Sequence, residues 1–364
     1  MIITIVAGAR PNFMKVAPII KAIQEKTAAG LPVGYRLVHT GQHYDKKMSG
    51  DFFAQLEIPE PHANLEAGGG SQAEQTAAIM VRFEKELENN RPDVVLVVGD
   101  VTSTMACAIT AKKLCIPVVH VEAGIRSFDM SMPEEINRMV TDAICDHFFT
   151  TSEIANANLN NAGIQGERIH FVGNTMIDTL LHNMNRLQQP ELWSEHNLKQ
   201  NEYFLITLHR PANVDDSANL SHLLDVILEE THPHAIIFPV HPRTKKNLDT
   251  KYSDSKRLIM VDPMGYLEFI YMVKNARAVI TDSGGITEET TVMKVPCLTL
   301  RSSTERPETI TLGTNELVGT NPDHLKPYLQ ALKDKPWKQS SIPPMWDGKT
   351  SYRIVDKLLL LYGN

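Results

Sequence analysis

The chain has 364 residues, 42% of them hydrophobic and 22% charged, and a net charge of −7. That length suits two domains of ordinary size with substantial cores. The acidic balance argues against a broad grip on nucleic acid or an anionic membrane, and no apolar run reaches the length of a bilayer span. The apolar start, Ile2 to Ala7, is too short for a signal core and lacks a basic leader. Four cysteines, Cys107, Cys115, Cys145 and Cys297, stand apart without a CxxC pair and read as buried thiols of a reducing cytoplasm.

In chain order, the runs "IITIVAG" (2–8), "YRLVHTG" (35–41), "DVVLVVGD" (93–100), "VVHVEAG" (118–124), "HFFTTS" (147–152) and "IHFVG" (169–173) predict strands. Several are apolar at consecutive positions, which fits parallel strands covered on both faces. Helical stretches such as "KVAPIIKAIQEKT" and "TMACAITAKKL" separate them, so the βαβα order predicts a doubly wound sheet. "NTMIDTLLHNMNRLQQPELWSEHNLKQNE" reads as a helix and a polar linker, with a hinge over 173–200. The scheme then repeats with "YFLITLH" (203–209), "AIIFPVH" (235–241), "RLIMVD" (257–262), "ARAVITDS" (276–283), "PCLTL" (296–300) and "ELVGT" (316–320). "SSIPPMWDGKTS" predicts a loop and "YRIVDKLLLLY" a last amphipathic helix. The expected architecture is two Rossmann-like domains facing one another, over 1–172 and 173–349, followed by a terminal helix over 350–364.

In open parallel sheets, ligands bind beyond the carboxyl ends of the strands. Polar residues gather at those predicted ends. The first half offers Arg10, Lys15, Asp100 and Glu122; the second offers His209, His241, Arg243 and Ser283. Cations and carboxylates on one rim, with histidines and a Gly-Gly turn on the other, suit a charged ligand.

The stretch "TDSGGITEET" (281–290) is the most telling. Gly284 and Gly285 let backbone N–H groups approach a phosphate, and a helix starting near Ile286 favours its charge. A simple Ser-capped turn is the alternative, although Ile286 at the third position after Ser283 rules out a capping box. Glu288 and Glu289 lie about 100° apart on a helix, so they cannot share one role. One complements the dipole; the other is free to accept hydroxyl hydrogen bonds from a ribose-like diol. A nucleotide reconciles the glycines with the carboxylate. The chain contains neither GxGxxG after its first strand nor a Walker A sequence, which disfavours NAD chemistry and ATP hydrolysis. His232 and His234 in "THPH" have no third ligand nearby and read as a turn, so neither metal nor cofactor is expected.

The motifs "GARPNFMK", "VVGDVTST", "HVEAGIRS", "MPEEINR", "FVGNTMID", "TLHRP", "PVHPR", "TDSGGITEE" and "TERPET" fall in an order and spacing that resemble the UDP-N-acetylglucosamine 2-epimerases, over nearly the whole chain. The resemblance implies a GT-B fold, an active site in the interdomain cleft and a last helix crossing back to the first domain. It also implies a cytoplasmic homodimer acting on a UDP-sugar, similar to the stand-alone, non-hydrolysing bacterial type. Such enzymes interconvert UDP-N-acetylglucosamine and UDP-N-acetylmannosamine by eliminating UDP to 2-acetamidoglucal and adding it back.

Carried over residue by residue, the resemblance places Arg10, His209 and the Ser283-Gly284-Gly285 turn at the diphosphate and Glu289 at the ribose, and Lys15, one helical turn beyond the loop of Arg10, is positioned to add positive charge there. It places Asp100, Glu122 and Glu134 at proton transfer, with His209 also among the catalytic residues. Arg138, His241, Arg243, Phe269 and Arg306 join the substrate-binding set. Taken alone, Asp100 also suits a helix cap, Glu122 a turn, and Glu134 with Arg138 a helix ion pair after Pro133. Phe269 suits the core of its helix as well as a uracil stack. The chain departs from the pattern at "GQHYDKKM", where Asp45 stands in place of the second glutamine of Gln-x-x-Gln, which argues against activation by a second substrate molecule. Asn12 stands where a glutamate is frequent and Pro211 where a second arginine is common, so a UDP-2,3-diacetamido hexuronate stays open as substrate. A hydrolysing epimerase and a GT-B glycosyltransferase are the rival readings.

Overall fold

The structure, a computed structural model, describes residues 1–41, 53, 55–240, 242–248, 250–252, 255–334 and 336–363, with backbone alone at Arg10, Pro242, Arg243, Thr250 and Asp334. The chain divides into a unit of Met1–His182 with Pro344–Asn364 and a unit of Asn183–Pro343.

The first unit holds strands β1 (Ile2–Ala7), β2 (Gly34–His39), β3 (Ala63–Asn64), β4 (Val94–Val98), β5 (Val118–Val121), β6 (His147–Thr150) and β7 (Ile169–Phe171). They form one sheet in the order β3-β2-β1-β4-β5-β6-β7, with every pair parallel. Its helices are α1 (Arg10–Ala28), α2 (Gln72–Asn89), α3 (Thr102–Lys113), α4 (Pro133–Ile144), α5 (Glu153–Asn161) and α6 (Thr175–Asn183). Local chemistry starts several of them. Ser71 and Glu74 form a reciprocal capping box before α2, and Pro11 and Pro133 occupy the first turns of α1 and α4.

The second unit holds α7 (Glu191–Glu195), β8 (Tyr203–Thr207), α8 (Pro211–Val214), α9 (Ser217–Glu230), β9 (Ala235–Pro239), α10 (Pro242–Lys245), β10 (Leu258–Val261), α11 (Tyr266–Asn275), β11 (Ala278–Thr281), α12 (Gly284–Met293), β12 (Cys297–Thr299), α13 (Pro307–Thr311), β13 (Asn315–Leu317) and α14 (Lys326–Asp334). Its parallel sheet runs β10-β9-β8-β11-β12-β13. Neighbouring residues of one strand bury in different clusters: Phe204 and Ile206 with Phe238 and Ile280, but Tyr203 and Leu205 with Ile237 and Val279. Each sheet face is therefore covered, which is why the strands read as unbroken apolar runs.

The last helix, α15 (Thr350–Tyr362), belongs to the first unit. Asp178 of α6 accepts the backbone N–H groups of Thr350 (3.1 Å) and Ser351 (2.7 Å), capping that helix from a distant part of the chain. Trp346 is buried, and its indole donates to the Thr151 carbonyl at 3.0 Å. Because Thr179 also donates to the Met14 carbonyl, α6 falls in the first unit, ten residues past the sequence boundary at 173.

Several local expectations are corrected. Strand β5 stops at Val121; Glu122 turns away with φ +71°, and its N–H and that of Ala123 both reach the Phe149 carbonyl. The short edge strand β3 carries no sequence signal. Cys115 is exposed, while the other three thiols are buried. Helix α12 starts at Gly284 rather than near Ile286.

Candidate active site

Both sheets reverse their winding once, between β1 and β4 and between β8 and β11, the crevice where open α/β sheets bind ligands. Most of the sequence candidates cluster at these two points.

In the first unit, β1 leads into α1, where buried Asn12 ties two turns together. Its Oδ1 accepts the N–H groups of Gly8 (3.2 Å) and Ala9 (3.0 Å), and its Nδ2 donates to the Val98 carbonyl at 3.0 Å. A glutamate there would accept from the same amides but has no N–H for Val98. Lys15, one turn further, pairs with Glu122. Asp100 follows β4 and pairs with Arg138 of α4 rather than capping α3, whose N-cap position is Val101. Gly99 has φ +70°, a left-handed conformation that favours glycine, and a Cβ there would stand 3.2 Å from Lys15 Nζ and 3.4 Å from Glu122 Oε2.

Arg138 does not pair with Glu134. Its other arm reaches Glu135 at 2.7 Å, and Asn137 donates to the Asp100 carbonyl at 2.9 Å. Glu135 also accepts from the Ser127 N–H and hydroxyl and from the Phe128 N–H. Burial would raise its carboxyl, yet these donors hold it below the ordinary carboxylate range. Glu135 therefore fixes Arg138, while Glu134 stays half-buried in the first turn of α4, without a hydrogen-bond or ion-pair partner among the described residues.

In the second unit, His209 follows β8 and Asp282 follows β11. His209 Nδ1 lies 2.6 Å from Asp282 Oδ1, and Asp282 also accepts from the Arg210 N–H (2.9 Å) and Asn213 Nδ2 (3.0 Å). Asp282 is fully buried; burial pushes its carboxyl up, but the hydrogen bond from His209 and the other donors bring it below the usual value. With Nδ1–H given to Asp282, the exposed His209 ring keeps Nε2 for a ligand.

Ser283 holds the N-cap position of α12 but makes no side-chain cap, so the first-turn N–H groups at Gly284 and Gly285 are not claimed by it. Beside them, Arg301 and Glu305 form a bidentate pair at 2.6 and 2.7 Å; a Cβ on Gly284 would lie 3.6 Å from Arg301 Nη1. Glu288 pairs with Arg306, which separates its role from that of Glu289. Glu289 is buried, receives a 3.0 Å hydrogen bond from the Tyr266 hydroxyl, and is pushed by burial up to about 7. Phe269 packs against the core of this unit.

His241 and the Gln42–Asp45 stretch lie outside the described residues, and the side chains of Arg10 and Arg243 do as well. Among the described residues no group of three His, Cys, Asp or Glu side chains is placed to hold a metal, and no helix is long and apolar enough to cross a membrane. Sequence reasoning passed over Glu135, Asn137, Asp282, Arg301 and Glu305. Glu135 holds Arg138, Asp282 holds His209, Asn137 ties the Asp100 carbonyl, and Arg301 pairs with Glu305 beside Gly284, relations that spacing alone does not reveal.

A family model described as UDP-N-acetylglucosamine 2-epimerase matches residues 26–359. A UDP-N-acetylglucosamine 2-epimerase of Methanocaldococcus jannaschii is 43% identical, with 100% of each chain covered. A UDP-2,3-diacetamido-2,3-dideoxy-D-glucuronate 2-epimerase of Pseudomonas aeruginosa is 38% identical over 88% of this chain and 89% of its own. The crystal structure of the M. jannaschii UDP-GlcNAc 2-epimerase in complex with UDP-GlcNAc and UDP aligns at TM-score 0.87 and 42% identity, covering 99% of this chain and 100% of that one. The likeness extends over both parallel-sheet units and gives the GT-B class expected from the sequence.

Proposed function

The chain belongs to the UDP-N-acetylglucosamine 2-epimerase family, whose members are isomerases, and on that premise we propose that it interconverts UDP-GlcNAc and UDP-ManNAc without net hydrolysis. The C2 proton of the sugar is not acidic, because no carbonyl adjoins it. Elimination avoids that difficulty. A carboxylate takes the C2 proton, the C–H electron pair becomes the C1–C2 double bond, and UDP leaves with the pair of the broken C1–O bond. Return delivers a proton to the opposite face of C2 while a UDP oxygen rebonds to C1.

The arrangement that carries this reading is the set of carboxylates at the first crevice, Asp100 held by Arg138 and Glu122 held by Lys15. We assign them, with Glu134, to proton transfer as a set. To the second crevice we assign the UDP moiety. The His209 ring and the first turn of α12 take the diphosphate, and Glu289 takes the ribose; Arg10, His241, Arg243 and Arg306 complete the binding set. Phe269 is assigned to the uracil. Supply of mannosamine-type sugars for surface polysaccharide, a cytoplasmic location and a homodimer belong to the same proposal.

The test is incubation with UDP-GlcNAc in deuterated water. Deuterium at C2, with the manno product appearing as intact nucleotide sugar, supports epimerisation. Accumulating free sugar indicates a hydrolase, and an unlabelled C2 with an acceptor requirement indicates a transferase. The Pseudomonas relative favours a second reading, in which the sugar is a UDP-2,3-diacetamido hexuronate. Running both substrates side by side and comparing kcat/KM separates them.

A further inference from the structure

Beneath the first crevice lies a buried charged cluster that the proposed reaction does not use. His120, on β5, has no solvent exposure. Its Nδ1 faces Asp142 Oδ1 at 2.7 Å and its Nε2 faces the Gly99 carbonyl at 2.8 Å. Both neighbours accept only. A neutral imidazole has one donor, so one of these short contacts would set two lone pairs against each other; both are satisfied only when both ring nitrogens carry hydrogen. Asp142 balances the charge and also takes Arg126 at 2.6 Å and the Gly124 N–H at 3.2 Å. Burial would raise Asp142, but His120 and Arg126 keep it below the ordinary value.

The two backbone segments gripped by this cluster are those that present Asp100 and Glu122. Gly99 sits at φ +70°, a left-handed backbone conformation that favours glycine whatever the space around it. Glycine brings conformational freedom with it, so the Gly99–Asp100 peptide needs an external hold. His120 grips that peptide at the Gly99 oxygen, and Asn137 grips the next at the Asp100 oxygen. On the other side of Glu122, Gly124 has φ +77° and a Cβ there would stand 2.4 Å from the Ala155 carbonyl, so it is an obligatory glycine, tethered through Asp142.

We propose that His120, as an imidazolium held between Asp142 and the Gly99 carbonyl, is a positioning residue that sets the spacing of Asp100 and Glu122 for proton transfer at C2. This inference rests on the proposed reaction. A shift of about 1 Å in reacting groups costs on the order of a hundredfold in rate. His120→Gln can meet one acceptor but turns its own oxygen toward the other. It is expected to lower kcat and the rate of C2 deuterium wash-in by about tenfold to a hundredfold, with KM and UDP affinity within about twofold, since the nucleotide is assigned elsewhere. His120→Phe, which keeps the ring and loses both donors, is expected to show the same split more strongly.

The wild-type protein gives an independent measurement. Nitrogen-15 NMR of the His120 ring should show both nitrogens protonated in the folded wild-type protein, as its two acceptor contacts require. A folded glutamine variant with undiminished kcat, a loss shared equally between kcat and UDP affinity, or a singly protonated ring in the wild type would each overturn the inference. Should the variants fail to fold, the ring measurement still decides. Wild-type enzyme that never labels C2 would instead sink the reaction itself.

Discussion

Single side chains divide here into those that offer a group to a ligand and those that aim it. Asp282 aims His209. Asp282→Asn keeps the shape but turns an N–H2 group toward the backbone donors of His209 and Arg210 or toward the ring, forcing the other tautomer. We expect kcat/KM to fall about a hundredfold or more, as when a histidine loses its orienting carboxylate, with circular dichroism unchanged. Glu289 yields a pH prediction. Burial holds its proton up to about 7, so in the nucleotide-free protein this group favours the fold at low pH, and that contribution fades as pH rises from the ordinary carboxylate range towards 7. Ribose hydroxyls need the ionised form, so binding releases the proton and UDP affinity moves the opposite way. It should weaken about tenfold from about pH 8 to about pH 6 beyond the change seen in Glu289→Gln, a comparison that removes the titration of UDP itself. Calorimetric titration at the two pH values measures it; equal slopes for the two proteins would exclude Glu289 from the ribose.

At the level of elements, helix α15 is held by a cap that its own sequence does not contain. Lys349 precedes it and makes no side-chain cap; the acceptor is Asp178, on a helix more than a hundred and fifty residues earlier. Asp178→Ala should cost about 1–2 kcal/mol in urea denaturation of the first unit, and Asp178→Asn less, because the amide oxygen still accepts one N–H. The contrast explains what was legible in the sequence. Strands such as "DVVLVVGD" announce themselves because both sheet faces are covered, and Pro133 announces the first turn of α4 because its effect is local. The glycines of "TDSGGITEET" mark a turn for the same local reason, and the split between Glu288 and Glu289 follows from helical angle. The Asp178 cap, the Asn12 tie to Val98 and the choice of Glu135 over Glu134 as the partner of Arg138 all depend on which distant turn a side chain meets. Periodicity carries no information about that.

At the level of the whole molecule, the proposed chemistry is divided between two units that each carry one crevice. A ligand that binds the fold alone stabilises it by an amount that grows with the logarithm of its concentration over Kd, about 2.7 kcal/mol at about a hundred times Kd. For a unit of this size that corresponds to a rise of about 5–10 °C in melting temperature. UDP is assigned to the second unit, so Asp100→Asn, which alters only the first crevice, should keep nearly the full UDP-induced rise while losing turnover about a hundredfold or more. Asp282→Asn should lose most of the rise together with turnover, because it disorganises the groups that face the diphosphate. Scanning calorimetry of the two variants with and without UDP makes the comparison under one set of conditions. An Asp100→Asn protein that no longer responds to UDP would place the nucleotide at the first crevice and reverse the division of labour, since a carboxylate assigned to moving a proton has no reason to govern the hold on a pyrophosphate.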